Sequence, residues 1–411
     1  MSFTKTGPLV ARALGAGAAI LTGALTGLVP PPLAGAATTT VFVSTQAKPT
    51  NSGASCQAAR FSSISAAIAA APAGGVVFAC PGTYKGGVVV TKPLTVRGQA
   101  ATVLATGEDN GFTVPVPGVT VEGFTVKGAI GEGILVVGKP GRPVSHVTIE
   151  DNVVEGNDLG NPTGAPVSGS KYKECNATPS KPPAPAVPGD CGGGIHLMVA
   201  TNSVVEGNTV VDNSGGILLS DEFGPTSHNV ISHNTVAYNA LDCGVTVVSH
   251  SPKGFAGGKV QPAAGGVYDN VVSYNVITTN GLAGQGGGVI LATPLPGGAV
   301  YGNQVLHNTI RGNGMAGVVL HSHAPGQDLN GNVVEHNTIG TNNLEGDPDF
   351  APHVDFAPTG VLVASAASPV RVTVADNTIA KDAYGVWQTG PVVVSGLPSN
   401  HFTGGTLHGM G

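Results

Sequence analysis

The sequence predicts an all-β solenoid, a parallel β-helix with three short strands to a coil and one short helix closing its N-terminal end. Four observations predict it. An asparagine inside an apolar, β-branched run recurs at Asn152, Asn208, Asn234, Asn275, Asn308, Asn337 and Asn377. A second landmark follows each by five residues, at Asn157, Asn213, Asn239, Asn280, Asn313 and Asn342, with Asp382 in the last copy. Each copy also holds three apolar runs too short for helices and rich in Val, Ile and Thr, such as Val204-Val205, Thr209 to Val211 and Gly216 to Leu219. Finally, with 63 glycines, 41% hydrophobic and only 10% charged residues, the chain is too apolar for disorder and too glycine-rich for a helical protein.

Residues 1–36 read as a secretory signal: Lys5 and Arg12 form a basic start, Ala13 to Val29 an apolar stretch, and Ala34-Gly35-Ala36 a small-residue cleavage site. No later stretch is apolar and long enough to span a bilayer, so the expected location is outside the cell or at its surface. Loss of Lys5 and Arg12 leaves 16 basic residues against 24 acidic, a net charge of −8 with no basic patch for nucleic acid. The remainder, 37–411, is expected to be one domain, because a solenoid grows by adding coils. Its five cysteines suit an oxidising compartment. A Cys56–Cys80 bridge would staple the N-terminal cap and a Cys175–Cys191 bridge would close an insertion, leaving Cys243, although spacing alone leaves other pairings open.

Residues 61–71 have helical spacing through Ile64 and Ile68 and stop at Pro72. A helix there would cover the exposed edge and apolar interior of the first coil. Val76 to Ala79, a turn at 81–84, Val88 to Val90 and Leu94 to Arg97 should supply the first coils. Successive first landmarks are 56, 26, 41, 33, 29 and 40 residues apart. The excess is looped out in insertions at 158–190, 251–265 and 344–358, all bordering the sheet made by the third strands. Landmark asparagines should take the left-handed backbone of a sharp corner and bond one another as a ladder at the coil spacing of about 4.8 Å.

The Ile-Ser-Ala-Ala-Ile helix, GGVVFACPGTY, GGVVVTKPLTVRG and VEGFTVKG, in that order, resemble the start of secreted right-handed parallel β-helix proteins of the pectate-lyase-like superfamily. That superfamily includes carbohydrate-binding and sugar-hydrolase-type repeat regions and NosD-like accessory proteins. The resemblance spans nearly all of 37–411 and implies the fold. It leaves activity open, because the family holds lyases, hydrolases, esterases, epimerases and non-enzymes.

The third-strand sheet is where chemistry is expected. Its members begin at Ile195, Ile217, Val245, Val289, Val318, Val361 and Val386. With those side chains inward, alternation sends the second, fourth and sixth residues outward. The second position gives His196, Thr246 and Trp387, the fourth Ser220, His321 and Thr389, and the sixth Glu222, His250 and His323. Glu222 and His250 come from adjacent coils and are the candidate acid/base pair. Asp221 joins them as a catalytic candidate, although its odd position suits an inward or turn role as well. His196, His321, His323, Trp387 and the loop residue Lys253 are candidate substrate-binding residues. His321 and His323 should lie two coils, about 10 Å, beyond His250, a span that would suit a groove for several sugar units. Two histidines do not make a metal site, and no metal ligands are assigned.

The expected substrate is an extracellular polysaccharide. Elimination from a uronate needs a base at C5 and positive charge against the carboxylate. His250 would be the base, Lys253 and Lys259 the nearest cations, and calcium the one cofactor left open. Hydrolysis needs two carboxylates, one protonated, from Asp221, Glu222 and Asp347, Asp349 or Asp355. The glycine-rich turn at 283–288 lacks the helix and Lys-Ser/Thr of a phosphate cradle, and no serine-hydrolase elbow stands at a strand-to-helix turn. The alternative is a non-catalytic surface or periplasmic scaffold, or a NosD-like accessory protein.

Overall fold

The computed structural model describes residues 39–159, 193–250, 265–283, 286–344 and 359–404. The signal segment, Cys175, Cys191, Lys253, Lys259, Asp347, Asp349, Asp355 and the greater part of each insertion lie outside the described residues.

Parallel strands stack coil upon coil. A coil can be followed from Gly193: Gly193–Met198, the two-residue strand Ala200–Thr201, Val204–Glu206 and Thr209–Val211, before the next coil opens at Gly215–Ser220. The third-strand sheet holds ten strands among the described residues, from Val88–Val89 to Tyr384–Thr389, in chain order along the axis. Its register is the expected one, Ile195↔Ile217↔Val245↔Val289↔Val318↔Val361↔Val386. It extends back through Ile134 and Phe112 to Val88. These residues are buried in one continuous apolar core along the solenoid. The glycine before each strand is required by close approach: a Cβ on Gly216 would meet the Gly244 carbonyl oxygen at 2.1 Å, and one on Gly194 the Gly216 oxygen at 2.2 Å.

The asparagine ladders form, but the corner conformation falls elsewhere than expected. Positive φ belongs to the residue before each first landmark, including Asp151 (54°), His233 (57°), Tyr274 (56°), His307 (56°), His336 (57°) and Asp376 (54°). The asparagine itself turns its amide inward. Asn208 Nδ2 donates to Asn234 Oδ1 at 3.0 Å, and Asn234 Nδ2 to Asn275 Oδ1 at 3.0 Å, while Asn234 Oδ1 also takes the Asn208 backbone N–H. Exposed rings at the left-handed corners stack in turn, His233 on Tyr274, Tyr274 on His307 and His307 on His336, with centroids 5.2, 4.8 and 5.0 Å apart. A third ladder, Asn229, Asn270, Asn303 and Asn332, follows the two-residue strands. It was readable, since each member stands five residues ahead of a first landmark.

The cap helix is Ile64–Ala70, with Ser63 as N-cap accepting the Ala66 N–H and Ile64, Ala67 and Ile68 buried. It is the one α-helix among the described residues. Cys56 and Cys80 are bridged, and Cys243 is buried with its Sγ accepting the Gly287 N–H at 3.2 Å. The turn expected at 81–84 is instead the strand Gly82–Lys85. Tyr84 enters the core there because its hydroxyl finds the Cys80 and Val43 carbonyls, at 2.7 and 3.1 Å. No helix among the described residues is long and apolar enough to cross a membrane.

Candidate functional site

Because third-strand side chains alternate, part of each strand faces away from the core; these positions are polar at His196 and Ser220, whereas on the strand one coil before that of His196 they are Leu135 and Val137. The outward row is buried all the same: His196 and Ser220 are 0% exposed, His250 4% and Glu222 6%. The expected open groove is therefore not what surrounds these side chains. The same face also carries apolar side chains, Leu218 and Val248 on the strands of Ser220 and leading into His250, and Ile290, Ala292, Val319, Leu362 and Ala364 on later ones, together in a second core cluster.

Five side chains from four successive coils form one hydrogen-bonded chain. Glu132 Oε1 lies 3.1 Å from His196 Nδ1, and its Oε2 accepts the Gly193 N–H at 2.6 Å. His196 Nε2 is 2.6 Å from Ser220 Oγ, and Ser220 Oγ is 2.5 Å from Glu222 Oε2. Glu222 Oε1 then meets His250 Nδ1 at 2.9 Å. The predicted Glu222–His250 pair across adjacent coils is thus formed, and His196 joins it through Ser220. Burial alone would raise the Glu222 pKa. The hydrogen bond and charge of His250, helped by the charge of His196 and the Ser220 hydroxyl, bring it down to about 2.

Asp221 faces other partners. Its Oδ2 accepts Ser249 Oγ at 2.8 Å and the Gly266 N–H at 2.9 Å, while Oδ1 accepts the His250 backbone N–H at 2.7 Å. It ties three backbone segments together at the end of the site strand. Burial, and next the charge of Glu222, push its pKa up to about 6 against those donors.

His321, His323 and Trp387 stand on later coils. His321 stands on the Ser220 row three ladder steps on, after Val248 and Ala292, and its ring packs edge-on against His323 at 4.5 Å. Trp387 stands on the His196 row six steps on and packs against the apolar cluster and Tyr384. Among the described residues no group of three His, Cys, Asp or Glu is placed to hold a metal ion.

Glu132 and Ser220 were missed as site residues. Ser220 was visible as an outward residue on the strand leading into Glu222. Glu132 carried a signal too, since Gly133-Ile134 repeats the Gly194-Ile195 opening one coil earlier.

Residues 92–257 match the family model described as a right-handed β-helix region. No curated protein matches the chain. Among solved structures, the A-module of the Azotobacter vinelandii mannuronan C-5 epimerase AlgE4 aligns over 84% of this chain and 94% of its own, at 17% identity and a TM-score of 0.48. An alginate lyase from Paenibacillus sp. aligns over 80% and 95%, at 12% and 0.45. A lacto-N-biosidase from Eubacterium ramulus aligns over 89% and 68%, at 11% and 0.46. Likeness at this level concerns the fold and carries no argument about activity. The ten-strand parallel sheet, the asparagine ladders and the matched region together make this chain a right-handed parallel β-helix protein.

Proposed function

We propose that the protein acts outside the cell or at its surface, binding and cleaving or modifying a polysaccharide on the third-strand sheet. His250 is the acid/base and Glu222 the carboxylate that holds it. The observation that carries this reading is the Glu222–His250 contact inside a buried polar chain, on a face that the fold fills with apolar side chains elsewhere. Glu222 Oε1 meets Nδ1 and so orients the imidazole.

Elimination is favoured over hydrolysis. Hydrolysis requires one protonated carboxyl beside a carboxylate. Glu222 is held ionised, and Asp221 points both oxygens at protein donors. In elimination, the His250 imidazole takes the C5 proton, the C5–H pair forms the C4=C5 bond, and the C4–O bond breaks. The leaving oxygen then takes a proton from the imidazolium or water. Lys253 is the proposed cation against the uronate. A panel of neutral and uronate polysaccharides, assayed with and without calcium for reducing ends and for ultraviolet absorbance of unsaturated products, tests this. Absorbance rising with reducing ends supports elimination, and reducing ends alone redirect the reading to hydrolysis.

The burial of His196 and Ser220 favours a second reading, a non-catalytic scaffold in which the polar chain only locks coils together. That reading predicts no turnover on any polymer of the panel.

A further inference from the structure

The hydrogens of the polar chain can be counted. Ser220 carries one, yet its Oγ lies 2.6 Å from His196 Nε2 and 2.5 Å from Glu222 Oε2. With Glu132 as a carboxylate, two arrangements use every atom. In one, Glu222 is a carboxylate accepting from Ser220 and His250, Ser220 accepts from His196 Nε2–H, and His196 as imidazolium donates from Nδ1 to Glu132. In the other, Glu222 carries a proton on Oε2 and donates to Ser220, Ser220 donates to His196 Nε2, and neutral His196 still donates to Glu132. The two differ by one proton moved between His196 and Glu222, with the hydroxyl taking one hydrogen and releasing another. No atom is left over, and the net charge is the same in both.

We infer that Ser220 is a proton relay between His196 and Glu222, and that Glu132 and His196 are positioning residues setting the charge of the carboxylate that holds His250. The inference rests on the acid/base reading of His250. Glu132, with Oε2 pinned by the Gly193 N–H, anchors His196 and fixes which ring nitrogen meets the serine. The other charged groups around the chain are carboxyls. Asp221 accepts the His250 backbone N–H, and the field of Glu132 reaches Asp158, itself beside Asp242. The hydroxyl is set apart from its neighbours on the sheet, the ladder partners of Ser220 being Met198 and Val248.

The same three side chains have the spacing of a Ser-His-acid nucleophilic triad. Burial argues against that role: Ser220 is fully enclosed.

The experiment is a titration of ¹⁵N-histidine-labelled protein by NMR, without substrate, comparing wild type with Ser220→Ala, Ser220→Thr and His196→Gln. In wild type the His196 and His250 rings should titrate as a coupled pair, each with two steps. Ser220→Ala should reduce each to a single step and shift the His250 midpoint by about half a pH unit or more, while Ser220→Thr restores the coupling. If Ser220→Ala does not fold, His196→Gln read at His250 makes the same test, with a single step and the same shift expected. Unchanged titration of both rings in folded Ser220→Ala, or of His250 in His196→Gln, overturns the relay. So does covalent labelling of Ser220 by a fluorophosphonate, which would make it a nucleophile. Because no polysaccharide is present, an inactive protein with coupled rings would refute the proposed function and leave the relay standing. An active protein with independent rings would do the reverse.

Discussion

Asp382 shows how much one atom matters in a ladder. It occupies an asparagine position, and its Oδ1 accepts the Asn342 N–H at 2.7 Å, but its Oδ2 has no hydrogen-bond partner among the described residues. Burial pushes its pKa up to about 7, and the N–H groups of Asn342 and Thr341 do not offset this. For a carboxyl whose folded pKa is raised, the native state holds the proton more tightly, so stability falls as pH rises from about 4 through about 7. Asp221, raised to about 6, acts in the same direction. Glu222 acts oppositely, its contribution being lost as pH falls from about 4.5 toward 2. Asp382→Asn should therefore stabilise the protein by about 1–3 kcal/mol at pH 8 and flatten the decline between pH 4 and 7, as read by denaturant melts across pH. In mid-ladder the sign reverses. Asn234→Ala orphans the buried Asn208 N–H and the Val205 carbonyl, and should cost about 3 kcal/mol or more in the same melts. The sequence announced the ladders through spacing, but not the corner residues, because His233, Tyr274 and His307 are not residues one expects at positive φ.

The cap and the third-strand sheet were both readable, for different reasons. Residues 61–71 carried helical spacing and a proline stop, and Ser63 supplies the cap bond to Ala66. Ser63→Ala should cost about 1 kcal/mol. Opening Cys56–Cys80, which closes a loop of separation 24, should cost about 3 kcal/mol by chain entropy, with the melting temperature of the Cys56→Ser/Cys80→Ser protein as the check. The sheet followed from strict alternation behind a repeated glycine, which the 2.1 Å Gly216 contact enforces. Alternation tells inward from outward but not exposed from covered, so it gave the Glu222–His250 pairing without the burial of the face. Nor does it report hydrogen bonds, and Glu132 entered the site only once Gly193 and His196 were seen to meet it.

Across the whole molecule, one axis organises both stability and chemistry. Coil stacking brings residues 64 positions apart in sequence, Glu132 and His196, into hydrogen-bond contact and repeats that closeness at each step to His250. The polar chain runs from Glu132 to His250, and the apolar cluster starts on the same strands at Leu218 and Val248 and continues along the later coils. The most direct measurement is turnover of the polysaccharide panel by wild type and His250→Ala, with a melting curve for each. Unsaturated product from a uronate polymer is expected from wild type, reduced by about a hundredfold or more in His250→Ala, with a lower melting temperature because buried Glu222 loses its partner, but with the variant still folded at the assay temperature. Product formed equally by both proteins, or by neither, would contradict catalysis by His250.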